Sequence, residues 1–222
     1  MEHQMSAAQP AAAPVRPATF FYGWVILALA FLFLGLAYTV WYSYAVFFVA
    51  LLADFGWSRG VTAGSVMLLM VVHGLTCPFA GLLIARIGVR RTYLVGSLTT
   101  GVALLACSQV REPWHLYVAF GVLAGAGIAL FGMVPNVTLL QRWFSRRLGL
   151  ALGIGLAGIG VGFGLYIPLV QLLISAIGWR GAWIVMAAVA VGVVTPLALW
   201  LVREWPADVG QVPDGERHAE AA

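Results

Sequence analysis

The charged residues of this 222-residue chain are confined to short stretches, and six long charge-free runs lie between them. The runs are 17–53, 60–85, 92–110, 113–141, 148–179 and 181–202, and the shortest has nineteen residues. About 20 helical residues cross the ~30 Å hydrocarbon core of a bilayer. A backbone in hydrocarbon must satisfy its own N–H and C=O groups, and a helix does so within one segment. A soluble core is a poor alternative. Hydrophobic residues make up 62% of the chain and charged residues 9%, whereas soluble domains carry roughly a quarter charged residues to face water. The sequence therefore predicts an all-α polytopic membrane protein with six transmembrane helices, near 22–52, 60–87, 91–110, 114–141, 146–177 and 180–202. Ser58 is placed to cap the second helix, Pro113 to begin the fourth and Gly178 to end the fifth.

All twelve basic residues are Arg, and their distribution predicts orientation. Arg86, Arg90 and Arg91 lie between spans two and three, and Arg142, Arg146 and Arg147 between spans four and five. Arg16 precedes the first span and Arg203 follows the last, while Arg59, Arg111 and Arg180 stand singly at the other turns. Cytoplasmic loops carry the Arg excess, so the triplet turns and both termini are expected in the cytoplasm of a multi-pass protein of the inner (plasma) membrane. Residues 1–19, rich in Ala and Pro, read as a disordered cytoplasmic tail. Residues 20–203 read as the bundle, and 204–222 as a cytoplasmic segment after it. FGWSR (55–59) and IGWR (177–180) both turn on the outer side, consistent with two inverted sets of three helices.

Several chemistries have no residues to support them. The spans hold no Asp, Glu or Arg at mid-depth. No metal-ligand cluster, nucleophile–base pair or phosphate-binding Gly-rich loop is present. An enzyme, a metal site and a cofactor site are therefore not expected. The net charge of +4 is dispersed over turns and forms no stripe for nucleic acid. Cys77 and Cys107 fall at depths about 10 Å apart on their helices, too far for a disulfide.

Some residues stand out against this apolar background. The fifth span carries Gly158, Gly160, Gly162 and Gly164, two overlapping G-x-x-x-G pairs that let helix backbones approach. In the first span Tyr38 and Tyr42 share a helical face, with Trp41 beside it. These read either as packing or interfacial aromatics, or as the wall of a cavity. His73 is the one His deep in a span, either a neutral packing residue or a proton or anion site. Asn136 beside Pro135, Tyr166 and Gln171 are further candidate polar contacts. Arg142, Arg146 and Arg147 read first as anchors that meet lipid phosphates, and Arg86, Arg90 and Arg91 as residues that hold their turn in the cytoplasm.

Gly81 to Arg91 reads GLLIARIGVRR and resembles the loop signature of the major facilitator superfamily, with Gly81 expected to allow close helix approach and Gly88 a tight turn. The acidic residue of that signature is Ala85 here, so the gating contact it supplies is missing. The stretches GAGIALFGMVPN, RWFSRRLGLALGIGLAGIGVG and GWRGAW, with Tyr22-Gly23-Trp24 and YSYAVFF from Tyr42, resemble the monocarboxylate-transporter and oxalate/formate-antiporter branch. The resemblance covers roughly 21–214 and implies the N-terminal six-helix half of a secondary transporter, in a 3+3 inverted repeat. It implies that REWPADVGQVPDG begins the central cytoplasmic loop or a C-terminal tail. It also implies that spans one and four line a central cavity, that Arg142, Arg146 and Arg147 contribute to an inner gate, and that the cargo is a small organic anion, with or without a coupled proton. The cationic anchor for that anion would come from a second six-helix half. Three arrangements stay open: an incomplete gene product, pairing with a separate second half, or a homodimer. The competing class is a non-transporting membrane subunit or inactive fragment.

Overall fold

A computed structural model describes residues 20–214. The tail expected over 1–19, and residues 215–222 of the expected cytoplasmic segment, lie outside the described residues. Among the described residues the chain is helical throughout with no strand. Helix α1 is Gly23–Phe55, α2 Arg59–Ile87, α3 Val89–Ser108, α4 Pro113–Trp143 and α5 Leu148–Trp200. All but α3 are long and apolar enough to cross a membrane.

Helix ends fall where local chemistry puts them. Gly56 ends α1 in the left-handed region at φ 64°, its N–H donating to the Leu52 carbonyl. The Ser58 hydroxyl accepts from the Val61 N–H and caps α2. The turn from α2 to α3 passes through Gly88 at φ 87°, which a side chain would resist. Pro113 opens α4, where its missing N–H costs nothing. The expected fifth and sixth spans lie within α5, 53 residues long, and Gly178 interrupts it at φ 75°, ψ 164°. Two arms, 148–177 and 179–200, meet at that break.

Neither α4 nor α5 is regular. α4 contains a π-helical stretch, Tyr117–Ala124, and breaks at Gly132, whose ψ is −127°. α5 contains a second π-helical turn, Gly162–Tyr166, just before Pro168. Pro168 has no N–H to donate, so the i→i−4 ladder must loosen there.

α1 is the centre of the bundle. Its buried residues include Ile26, Ala30, Phe33, Ala37, Phe47 and Leu51, all at 0% exposure, and it packs against the 148–161 part of α5 and against α2 and α4. α3 packs on the second arm of α5, where the Val191 side chain fills the space beside Gly101. Hydrogen bonds join the helices at several depths. The Tyr44 hydroxyl lies 2.8 Å from the Thr62 carbonyl and 2.6 Å from the Ser65 hydroxyl, and Ser97 meets Thr195 at 3.1 Å. The Tyr117 hydroxyl donates to the Val61 carbonyl at 2.7 Å. Each bond joins a helix pair, and those of Tyr44 are buried, where water and lipid cannot compete.

Candidate functional site

An aromatic face runs across α1, α2 and the first arm of α5. Tyr38 sits 6.2 Å from both Trp41 and Tyr42 on α1. Trp41 meets His73 of α2 edge to face at 5.0 Å, and Tyr42 meets Phe163 of α5 edge to face at 5.5 Å. Tyr38 and His73 lie close to the middle of α1 and α2, and Phe163 close to the middle of the first arm of α5, so one depth collects them. Phe163 belongs to the π-helical turn of α5. The wider turn shifts the register of side chains along that helix, which brings Phe163 over Tyr42.

The face has polar capacity that the protein does not use. Among the described residues neither the Tyr38 nor the Tyr42 hydroxyl has a hydrogen-bond partner, and His73 Nε2 is buried without one. His73 Nδ1 lies 3.8 Å from Cys77 Sγ, one helical turn away, a weak contact at most. Tyr42 is 39% exposed. Trp41 and Tyr42 also line a cavity of about 510 Å³ between α1 and α2, with Phe48, Val66, Met67 and Met70. The arrangement can therefore hold an apolar group against rings and offer two phenols and an imidazole to its polar end.

The other candidates do not join this face. Asn136 is fully buried in the bundle, its Oδ1 accepting from the Tyr93 hydroxyl at 2.9 Å. Its Nδ2 donates to the Phe131 and Gly132 carbonyls at 3.0 and 2.6 Å. Asn136 thus satisfies the carbonyls freed where α4 breaks at Gly132, and it has nothing left for a ligand. Tyr166 packs beside Gly35 and borders a separate apolar cavity of about 230 Å³ with Thr39, Val40 and Met186. Gln171 is exposed and hydrogen-bonds only to Ser175, one turn on. The glycines divide. A Cβ on Gly158 would collide with the Phe31 carbonyl oxygen, and one on Gly162 would lie 2.7 Å from the Gly35 oxygen. No described atom lies within 4 Å of such a carbon on Gly160, Gly164 or Gly81. The close approach expected at Gly81 is not made here.

The arginine turns come together with two acids that the sequence reading passed over. Glu204 accepts from Arg142 Nη1 at 3.1 Å and from the Arg90 N–H at 3.1 Å. Its carboxylate covers Gly88 where a side chain would otherwise stand. Asp214 accepts from the N–H groups of Ser145, Arg146 and Arg147 at 2.6, 3.1 and 3.0 Å, and so caps the start of α5 from a distant part of the chain. Arg142 stacks over Trp205 at 4.4 Å. Gln211 holds the start of α1, accepting from the Tyr22 N–H and donating to the Phe20 carbonyl. Segment 203–214 thereby fastens the adjacent ends of α1, α3, α4 and α5. The available signal was that three of the chain's eight acids lie in this segment.

Residues 16–221 match the family model described as Major Facilitator Superfamily. Monocarboxylate transporter 11 of Mus musculus is 35% identical over 192 residues, 84% of this chain and 43% of that protein. Monocarboxylate transporter 13 of Bos taurus is 32% identical over 178 residues, 80% of this chain and 42% of that protein. Monocarboxylate transporter 3 of Mus musculus is 37% identical over 165 residues, 73% and 33% of the two chains. The chain thus spans less than half the length of these relatives.

Proposed function

This chain belongs to the major facilitator superfamily, and from that membership we propose that it works as one six-helix half of a secondary transporter for small organic anions such as monocarboxylates. The relatives named above are transporters, and the four long apolar helices fit a multi-pass membrane protein. A 53-residue helix is about 80 Å long, far more than one crossing needs. Reading the Gly178 break as an outer turn makes α5 two spans. With α3 as a further span, six crossings result, in a 3+3 order with both Arg-rich turns and both termini in the cytoplasm.

The observation that carries the reading is the mid-depth aromatic face with unused donors. A carboxylate brought to it would accept from Tyr38 and Tyr42 while its hydrocarbon part lies against Trp41 and Phe163. The spans of this half supply no fixed cation, so His73, when protonated, or a residue of a second six-helix half must balance the charge. That second half, a separate chain or a second copy, would close against the exposed face of this one. Transport is then alternating access, with the bundles rocking about the site. Cargo drives closure only by its differential affinity for the two states.

Proteoliposomes containing the chain, tested with labelled lactate, oxalate and formate, examine this directly. Uptake that is saturable is expected, with Tyr42→Phe raising KM several-fold at unchanged protein level and His73→Gln flattening the pH profile. Identical kinetics in both variants would remove the aromatic face from the transport path.

A further inference from the structure

A second site lies at the cytoplasmic end of α3. Arg90, Arg91 and Arg203 border a cavity of about 360 Å³ with Ile87, Val202, Glu204 and Asp208. We propose that this cavity takes the phosphate group of an anionic phospholipid from the adjoining leaflet.

Three observations support it. The first is surplus charge. Among the described residues none of the three arginines forms an ion pair. Both acids of the cavity are already engaged: Glu204 with Arg142 and the Arg90 N–H, and Asp208 with the Trp205 N–H at 3.1 Å. Counting Arg142, four guanidiniums face two carboxylates. The second is preorganisation. Arg90 donates its side chain to the Leu199 carbonyl at the end of α5, so its guanidinium bridges two helices rather than waving in water. A guanidinium held in place loses less freedom when it grips a phosphate, and its planar fork matches phosphate oxygens.

The third observation concerns depth. Trp200 and Trp205, close in the chain to the lining residues Val202 and Glu204, are 73% and 52% exposed. Exposed Trp of a membrane protein sits at headgroup level, where an amphipathic ring is wet at one end and apolar at the other. Leu199, whose carbonyl accepts from Arg90, and Val95 and Leu98 further along α3 present apolar surface. A lipid whose phosphate entered the arginine cavity would thus have somewhere to lay its acyl chains. A soluble phosphate would use only the first two features, so the lipid is the better fit. Basic pockets between membrane helices on the cytoplasmic side are suited to such headgroups.

The inference rests on the cytoplasmic placement of the 86–91 turn in the reading above, but its readout does not involve transport. Full-length protein in detergent is titrated with phosphatidylglycerol, phosphatidylcholine or inorganic phosphate, and thermal stability is followed. Phosphatidylglycerol should stabilise, with phosphatidylcholine weaker. Arg91→Gln with Arg203→Gln should raise the half-saturating concentration at least about tenfold. The Lys/Lys counterpart should recover part of the loss, and Arg59→Gln with Arg111→Gln, at the other end, should leave it unchanged. Equal titrations for wild type and the Gln pair would overturn the site. Full stabilisation by millimolar inorganic phosphate alone would overturn the lipid assignment. A Gln pair that does not fold leaves the Lys/Lys protein as the test: it should bind phosphatidylglycerol more weakly than wild type, and a titration identical to wild type would count against the site.

Discussion

The two glycine pairs on the first arm of α5 are alike in sequence and opposite in situation. Gly158 and Gly162 press on the backbone of α1 at Phe31 and Gly35, while Gly160 and Gly164 face open space. Residues two apart on a helix point to opposite sides, so a run of alternate glycines serves two faces at once. One face is already occupied within the chain. The other is bare, and the aromatic residue between its glycines, Phe163, meets Tyr42. The packed pair therefore belongs to folding and the open pair, on the proposed reading, to the contact with a second half.

Substitutions can break this contrast. Gly158→Val should have the largest effect. Its branches would meet α1 backbone, which cannot move aside as a flexible side chain could, so the cost exceeds the ~1–3 kcal/mol usual for overpacking. Failure to recover a folded protein in detergent is expected. A stable protein with unchanged melting would show that α1 and α5 are not in backbone contact.

A smaller loss is expected at Asn136→Leu, about 1–2 kcal/mol, because it strands the Tyr93 hydroxyl and the carbonyls at the Gly132 break. Tyr93→Phe combined with it should recover part of the loss, measured as a double-mutant cycle. Full additivity would mean the two side chains do not interact. Next, Glu204→Gln should cost about 1 kcal/mol, since it weakens the contact to Arg142 but keeps an acceptor for the Arg90 N–H. The difference from wild type should shrink in high salt. The smallest stability effect belongs to Gly160→Val, within about 0.5 kcal/mol. Its melting curve should overlay wild type while uptake falls. A large drop in stability would show that the open face is packed in the working protein by something else within the chain.

What could be read beforehand differed by region for physical reasons. Apolar helices suited to a bilayer were legible because burying a charge in hydrocarbon is costly enough to keep every described Arg and acid near a helix end or the Gly178 break. Ser58 acts through a local side-chain cap and Pro113 and Gly178 through their own backbone, and all three were legible too. The sharing of an aromatic face by Tyr38, Trp41 and Tyr42 followed from helical spacing. Its partners did not. Phe163 reaches Tyr42 through a π-helical turn that breaks the 3.6-residue period, and no periodic reading includes that shift. Asn136 looked available because a polar residue in an apolar helix suggests a ligand. It is consumed by carbonyls released at a helix break that the sequence did not announce. Glu204 and Asp214 were passed over because their partners lie 62 and 67–69 residues away in the chain.

The sequence alone determined that this polypeptide is helical and apolar enough for a bilayer, and it marked where its helices turn. These follow from local terms, the solvation of charge and the backbone preferences of single residues. The tertiary structure decided which of two identical glycine spacings carries packing, which polar groups remain unspent, and which acids answer the arginines. Those outcomes depend on the rotation and depth of one helix against another, and only the packed bundle fixes them.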